Sequence, residues 1–137
     1  MIRYLLDTNI LSDPVRNPEG RVSEKIARLP EPERQILCTS IIVAAELRFG
    51  AARRNSERLF RKVEGMLHSV EVLPLAPDAD RQYARLRAEM ERVGDVIGAH
   101  DMLIAAHTMA AGCVLVTDNV REFGRVPGLR FENWLRA

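Results

Sequence analysis

The chain has 137 residues, of which 47% are hydrophobic and 28% charged, as in an ordinary globular protein. Twenty Lys and Arg against nineteen Asp and Glu give a net charge of +1, so overall charge does not indicate nucleic-acid binding, and any such site must come from local clustering. We expect a single domain over residues 1–137. Without a visible secretory signal or a run of about eighteen apolar residues, we expect a cytoplasmic protein with no membrane span.

Predicted strands and helices alternate along the first part of the chain. IRYLL, residues 2–6, predicts a strand that stops at a polar Asp-Thr-Asn cluster. GRVSEKIARLP predicts a helix that Pro30 ends, and PEPERQ after it is predicted to be a polar connection. ILCTS, residues 36–40, predicts a second short strand. Ser40 is expected to cap the helix IIVAAELRFGAARR at residues 41–54.

Two helices with apolar stripes and a strand between them follow. SERLFRKVEGMLHS predicts the first helix, VEVLPL the strand, and Asp78 is expected to cap the second helix. The predicted stripe of the first helix consists of Leu59, Phe60, Val63, Met66 and Leu67. The predicted stripe of the second consists of Ala79, Tyr83, Leu86, Met90 and Val93.

The last part of the chain predicts one more long helix and two strands. HDMLIAAHTMAAG is the helix, with Gly112 where a left-handed C-cap is expected. CVLVTDN is a strand, and LRFENW is a candidate edge strand. Apolar runs such as CVLV lack polar alternation, which is typical of strands covered by helices on both faces. The sequence therefore predicts a three-layer α/β/α domain with a mainly parallel central sheet. Cys38 and Cys113 fit no metal-binding spacing and are expected to be buried, reduced thiols.

Four polar features could meet at one edge of this sheet. Two strands end in the clusters DTN, residues 7–9, and TDN, residues 117–119, while Glu46 and Asp101 lie on helices among apolar residues. In open parallel sheets, sites form at the carboxyl ends of the strands. Each acid alone could be an ordinary turn, cap or surface residue. Together, with no Lys in these motifs, they indicate an oxygen-ligated cation, Mg²⁺ or Mn²⁺.

Other site chemistries fit the sequence less well. His68, His100 and His107 show no zinc-binding spacing, and the last two, seven residues apart on one helix, are expected to serve packing or capping. A haloacid-dehalogenase-type phosphatase needs a second Asp where Asn9 stands. A receiver domain needs an acid after the third strand, which ends in Pro74, and a late Lys after the last long strand. There is no Gly-rich phosphate loop or Ser elbow motif.

The motifs LLDTNIL, AAELRFGA and IGAHDMLIAAHTMAAGCVLVTDNVREFGRVPGLRFENW resemble those of the PIN-domain ribonucleases and, within them, the VapC toxins of toxin–antitoxin pairs. The resemblance extends from Ile2 to Trp134. It implies an endoribonuclease that hydrolyses RNA phosphodiesters with a metal-activated water, with Mg²⁺ as the cofactor and Mn²⁺ able to replace it. It also implies a VapB-type antitoxin as partner, RNA such as tRNA as substrate, and a homodimer.

The resemblance assigns roles to the residues of the polar clusters. Asp7, Glu46 and Asp101 occupy the acidic motif positions, and Asp7 and Asp101 are expected to bind the metal. Thr8, Asn9 and Thr117 are expected to support these acids or to face the phosphate. The fourth acidic position of the family falls on Asn119, which is neutral, so a second metal site is in doubt. Strand register favours Asn119 on the metal side, and charge favours Asp118.

A basic stretch follows Glu46 and is interpreted in two ways. Its cationic side chains are Arg48, Arg53, Arg54, Arg58, Arg61 and Lys62. They form either a solvated helix face or a rim that contacts RNA phosphates. The helices from residues 56 to 93 could hold the antitoxin tail, although core packing explains their apolar positions equally well. Two alternative functions stay open: a non-catalytic PIN-like module that binds RNA or protein, and a housekeeping PIN nuclease without antitoxin.

Overall fold

The computed structural model describes residues 2–34 and 37–136, with the side chains of 33 and 34 excepted. At its centre is a parallel sheet with the strand order β3-β2-β1-β4-β5. The strands are β1 (Tyr4–Leu6), β2 (Cys38–Ser40), β3 (Glu71–Leu73), β4 (Val114–Val116) and β5 (Phe131–Glu132). The helices are α1 (Thr8–Arg16), α2 (Arg21–Arg28), α3 (Glu31–Arg34), α4 (Ile41–Arg54), α5 (Glu57–His68), α6 (Ala79–Arg92), α7 (Ala99–Ala110) and α8 (Val120–Phe123).

Each face of the sheet is covered by its own hydrophobic core. Successive side chains of β1 alternate between the two cores: Leu5 belongs to the core under α6 and α7, and Tyr4 and Leu6 belong to the core under α1, α2 and α5. Leu5 and Leu6 are 0% and 2% exposed, as expected of a strand buried on both faces. The predicted three-layer α/β architecture is confirmed, and the strand pairs are parallel throughout.

The register of β1 and β4 sets the position of the polar clusters. Leu6 pairs with Val116, so the two strands end at the same level. Asp7 N–H donates to the Val116 carbonyl at 2.9 Å, which fixes the residue that follows β1. The first residues after β1 and β4, Asp7 and Thr117, therefore lie side by side at the carboxyl edge of the sheet.

Two segments of the first part differ from prediction. The sequence indicated no helix directly after β1, but α1 begins at Thr8, with Asp7 as its N-cap, and contains Pro14. PEPERQ was predicted to be a polar connection, whereas Glu31–Arg34 forms one helical turn. Pro at the second helical position is compatible with helix because first-turn N–H groups have no intrahelical partner. Residues 35 and 36, part of the predicted connection and second strand, lie outside the described residues.

Two residues predicted in apolar stripes lie at the surface instead. Phe60 is 53% exposed and Val93 is 70% exposed. The buried positions of α5 are Val63 and Leu67, four residues apart, and Phe60 falls at the edge of the stripe they define. Val93 comes after the end of α6 and no longer follows its helical face. The helices themselves are confirmed.

The predicted helix ends are partly confirmed. Gly112, just past α7, has φ +68°, as predicted for a left-handed C-cap. Asp78 begins α6, but its side chain does not cap the helix because its own backbone is left-handed, with φ 80°. Cys38 and Cys113 are buried free thiols, as expected. None of the helices in the described ranges is long and apolar enough to cross a membrane. The single-domain boundary stays a prediction.

Candidate active site

Asp7 lies at the end of β1, where two hydrogen bonds fix its carboxylate. The residue is 6% exposed. Its Oδ1 accepts from the Thr8 backbone N–H at 2.9 Å, and its Oδ2 accepts from the Thr117 hydroxyl at 2.8 Å. Burial raises the pKa of Asp7, and the two hydrogen bonds oppose this shift. A rigid strand end therefore holds a carboxylate whose charge is incompletely compensated.

Glu46 on α4 and Asp101 in the first turn of α7 are the second and third acids. Burial raises the pKa of both, and the charge of Asp7 raises each further. The charge of Asp101 also raises the pKa of Glu46. The three carboxyl groups predicted from sequence therefore lie near enough to repel one another. Carboxylates that repel one another in a partly buried site favour binding of a cation.

The three acids have no Lys or Arg partner among the described residues. In the described part of the chain, no Lys or Arg lies within ion-pair distance of Asp7, Glu46 or Asp101. The nearest basic group is His100, whose Nδ1 lies 3.5 Å from Glu46 Oε1. His100 was expected to serve packing or capping, but its side chain is 74% exposed and faces the acid. His107 is buried, and its Nδ1 hydrogen-bonds with the Ser40 hydroxyl at 2.8 Å.

The donor set fits a hard divalent cation, but the coordination geometry is not preformed. Carboxylate oxygens without Cys or His are the ligands that Mg²⁺ and Mn²⁺ prefer. Among residues 2–34 and 37–136, however, no three His, Cys, Asp or Glu side chains are close enough together to hold a metal ion. Mg²⁺ is commonly held by one or two carboxylates together with water molecules, so a cluster of three such side chains is not required.

Asn119 and Asp118, which follow β4, point in different directions. Asn119 Nδ2 lies 3.4 Å from Asp101 Oδ2, and its backbone N–H donates to Thr117 Oγ1 at 2.9 Å. The Asp118 carboxylate instead accepts from Arg136 Nε at 2.8 Å and from Asn133 Nδ2 at 2.9 Å. Arg136 lowers the pKa of Asp118. Asn119, and not Asp118, therefore lies on the side of the acids, while its role stays a prediction.

The remaining polar residues predicted for the site have different surroundings. Asn9 Oδ1 accepts from the Asp118 backbone N–H at 3.0 Å, which ties the start of α1 to the end of β4. Thr8 faces Glu46, and its buried hydroxyl, which makes no well-formed hydrogen bond in the described part, lowers the pKa of that carboxyl. Thr8, Asn9 and Thr117 thus surround the acids, and Thr117 alone donates a side-chain hydrogen bond to one of them.

A further acid near the site was missed by the sequence interpretation. Glu122 on α8 raises the pKa of Asp101 through its charge. Its carboxylate also lies 3.4 Å from Arg125 Nη1. The motif spacing indicated Asp118 or Asn119 for the fourth position, so Glu122, three residues beyond Asn119, was not among the predicted site residues. The helical turn that follows brings Glu122 back towards Asp101, and its position within NVREF was the available signal.

The predicted basic rim divides into paired and unpaired side chains. Arg48 donates two hydrogen bonds to Glu64, both of 3.0 Å, and Arg61 lies 3.6 Å from Glu57. Arg53 and Arg54 have no ion pair in the described part. With Arg16, Lys62, Thr8 and Glu46, they line a groove of about 410 Å³ between α1, α4 and α5. Arg58 lines a smaller cavity next to it. This groove, which we call the basic groove, thus extends from Glu46 to Arg53 and Arg54, which have no ion pair among the described residues.

A second groove, of about 570 Å³, lies between α1, α2 and α5. Its lining is mainly apolar, with Arg61 and Lys62 among its residues. Ile10 and Leu11 contribute from α1, Ile26 from α2 and Met66 from α5. Lys62 lines this groove and the basic groove alike.

Comparison with known proteins agrees with the fold. The PIN domain family matches residues 4–129. A tRNA(fMet)-specific endonuclease VapC of Salmonella typhimurium is 35% identical over 135 residues, which cover 98% of this chain and 99% of the relative. Ribonuclease VapC2 of Haemophilus influenzae is also 35% identical, over 98% of this chain and 100% of its own.

Solved structures show the same relationship. VapBC2 from Rickettsia felis, bound to a DNA fragment from its promoter, superimposes with a TM-score of 0.86 at 33% identity, covering 98% of this chain and 99% of the other. VapBC-1 from Haemophilus influenzae superimposes with a TM-score of 0.85 at 32% identity, covering 99% of this chain and 100% of the other.

The three-layer α/β/α domain brings three acids together near the carboxyl edge of its parallel sheet. This arrangement suits a metal-dependent nuclease. The chain belongs to the PIN domain family and, within it, to the VapC ribonucleases, the toxins of toxin–antitoxin pairs. The predicted class, an endoribonuclease toxin, is confirmed. PIN-domain nucleases generally depend on divalent metal ions; the particular ion and the individual site residues stay predictions.

Proposed function

We propose that this chain hydrolyses a structured RNA, with tRNA as the first candidate, using Mg²⁺ held by Asp7 and Asp101. The observation that carries the proposal is the acidic cluster at the carboxyl edge of the sheet. Burial raises the pKa of all three acids there, the charge of Asp7 raises the pKa of Glu46 and Asp101 further, and none of them has a Lys or Arg partner in the described part. The tRNA assignment rests on relatives of 35% identity over almost the whole chain, two of which are named as tRNA(fMet)-specific. Mn²⁺ is expected to replace Mg²⁺.

The protein side chains divide the work of phosphodiester hydrolysis. A bound divalent ion lowers the pKa of the attacking water and offsets charge on the phosphate. Asp7 is held for ion binding by Thr117, and Asp101 by Asn119. Glu46 accepts the proton of the water, a role that its raised pKa suits. Glu122 adds negative charge beside Asp101, where Asn119 supplies none.

The basic groove is proposed to hold RNA next to the scissile bond. Arg53 and Arg54 reach the same groove as Glu46 and carry no ion pair in the described residues. They are therefore available to phosphates without first breaking an ion pair, although the Arg53 guanidinium lies over the Phe49 ring, 5.6 Å from its centre. Arg48, which was predicted in the same rim, is held by Glu64 and is proposed to contribute less.

The proposed partner is a VapB-type antitoxin, as in the VapBC complexes to which this chain is similar. We propose that an apolar segment of that antitoxin packs into the groove between α1, α2 and α5, because the lining of this groove is mainly apolar. Since Lys62 lines both grooves, a bound segment could continue towards the acids and block RNA there.

A homodimer is proposed on the exposed face of α4. Ile41 and Phe49 are 42% and 63% exposed, and Ala45 between them is exposed as well. The three residues recur every four positions, so they form one apolar stripe. Pairing of this stripe with a second copy would remove it from water.

Expression in bacteria tests the toxin proposal. Induction of this chain alone is expected to stop growth and to produce cleaved tRNA, because the free site degrades RNA. Co-expression with the product of the reading frame immediately upstream is expected to restore growth. The matched control is Asp101→Asn, which is expected to be harmless. Harmless expression of soluble, RNA-cleaving wild-type protein would contradict the toxin role, and soluble protein that binds RNA without cleaving it would support the non-catalytic alternative.

A further inference from the structure

A second basic surface shares no lining residue with the basic groove. It consists of Arg21, Lys25 and Arg28 on α2 together with Arg136 near the chain end, and we call it the α2 patch. These four residues line one shallow depression with Glu24, Glu132, Asn133 and Trp134. We propose that the α2 patch binds the phosphate backbone of the RNA substrate at a distance from the scissile bond; the proposal rests on the proposed RNA cleavage.

The three cations of α2 share one helix face. Arg21, Lys25 and Arg28 are spaced by four and three residues, so they lie in a row about 10 Å long. All three are exposed and none has an ion pair in the described part. A row of this length faces a stretch of backbone rather than a single phosphate.

The acidic neighbours of the patch do not cancel its charge. Glu132 accepts a hydrogen bond from Trp134 Nε1 at 2.9 Å, which points its carboxylate towards the indole. Glu24 is the other acid in the depression. Four cations against three acids, Glu24, Glu132 and the Asp118 that is ion-paired with Arg136, leave a local charge of +1.

Two of the cations are held in place before any ligand arrives. Lys25 Nζ lies 6.0 Å from the centre of the Trp134 ring, and Trp134 is itself packed edge-on against Tyr4 at 5.0 Å. Arg136 is oriented by Asp118, with Nε–Oδ1 2.8 Å and Nη2–Oδ2 3.3 Å, but this ion pair also offsets its charge, so the three cations of α2 carry the proposed binding. Side chains that are already ordered lose less conformational entropy when they bind a phosphate.

The patch is continuous with the active site through short contacts. Arg136 contacts Asp118, the residue directly after Thr117, and Thr117 donates its hydroxyl to Asp7. Asp118 N–H also donates to Asn9 at the start of α1. The basic groove at Arg53 and Arg54 opens on the Glu46 side. An RNA strand with its scissile phosphate at Asp7 would therefore meet positive charge in both directions.

The test is RNA binding by a triple variant, Arg21→Gln, Lys25→Gln and Arg28→Gln, in the full-length chain. The matched control removes the same charge from the other face of the sheet: Arg81→Gln, Arg85→Gln and Arg92→Gln on α6. Dissociation constants for labelled bulk bacterial tRNA are measured in EDTA, which prevents cleavage, between about 50 and 200 mM salt. The substituted side chains are exposed, and thermal melting verifies folding.

The triple variant is expected to bind tRNA about tenfold or more weakly than the control, and its plot of log Kd against log salt is expected to be shallower by about 2. Equal affinity and slope in the two variants would overturn the proposal. An unchanged Kd for tRNA with weakened binding of the antitoxin would overturn it too and assign the patch to protein. Cleavage of the same tRNA by wild-type chain with Mg²⁺ tests the proposed function separately.

Discussion

Asn119 and Asp118 show how strand geometry decides which of two adjacent residues serves a site. Asn119 lies 3.4 Å from Asp101, while Asp118 is held by Arg136. Asn119→Ala is expected to lower the cleavage rate about tenfold or more, because Asp101 loses its orienting partner. Asp118→Asn is expected to be milder. Asn119→Asp is expected to tighten Mn²⁺ binding by adding a charged ligand. Cleavage rates and Mn²⁺ titrations check all three.

One result for these variants would contradict the assignment of Asn119 to the site. If Asp118→Asn abolished cleavage while Asn119→Ala had no effect, Asp118 would be the group that serves the metal. The assignment from register and from the hydrogen bond to Asp101 would then be wrong.

His107 provides a pH dependence of stability that is separate from the acidic site. Burial lowers its pKa below the ordinary value of 6.5, so the folded chain keeps the ring neutral where the unfolded chain protonates it. The free energy of unfolding is therefore expected to fall, through this group, as the pH drops below about 6.5, and to be unaffected by it above. His107→Gln removes that contribution.

Urea unfolding at pH 7.5 and pH 5.5 measures this effect. The wild-type chain is expected to lose more stability between the two pH values than His107→Gln, even if the variant is less stable at both because Ser40 loses its partner. Equal losses in the two proteins would show that His107 does not cause the pH dependence.

At the scale of single elements, helix ends and helix interiors use glycine differently. Gly112, after α7, has φ +68°, so an added Cβ would be strained even though the space around it is open. Gly112→Ala is expected to destabilise the fold by about 1 kcal/mol. The matched control is Gly65→Ala in the interior of α5, which also has open space and ordinary φ. It is expected to stabilise by roughly 0.5–1 kcal/mol. Chemical denaturation checks both, and changes of the same sign would contradict the assignment.

Element positions were largely predictable because the apolar patterns are strong. The two long helices α6 and α7 and the strand β4 were identified from spacing and from unbroken apolar runs. The helix α1 was missed, since DTNILSDPVR carries Pro14 and several turn-forming residues. The Asp7 N-cap and the contacts of Ile10 and Leu11 with the core favour a helix there. Tertiary packing thus overrides a weak local preference.

The site was predicted less completely than the helices and strands. Asp7, Glu46 and Asp101 could be picked out as acids in apolar surroundings, and the sheet topology accounts for their convergence. Glu122 could not be found this way, because its approach to Asp101 depends on the turn of α8. The pairing of Arg48 with Glu64 was also hidden, since it joins two helices whose relative rotation the sequence does not give. Contacts between side chains of different helices and strands could not be predicted from the sequence, because they depend on the three-dimensional arrangement of these elements.

At the scale of the whole molecule, the central claim is that the carboxyl edge of the sheet holds a divalent ion for RNA hydrolysis. The most direct measurement is the rate at which purified chain cleaves bulk tRNA with Mg²⁺, with Mn²⁺ and with excess EDTA, alongside Asp7→Asn. Cleavage is expected with either ion, to stop in EDTA, and to fall about a thousandfold or more in Asp7→Asn. That variant is expected to stay folded, because a neutral amide at a buried position needs no charge compensation. Full cleavage in EDTA, or near-native turnover by a folded Asp7→Asn protein, would contradict the claim.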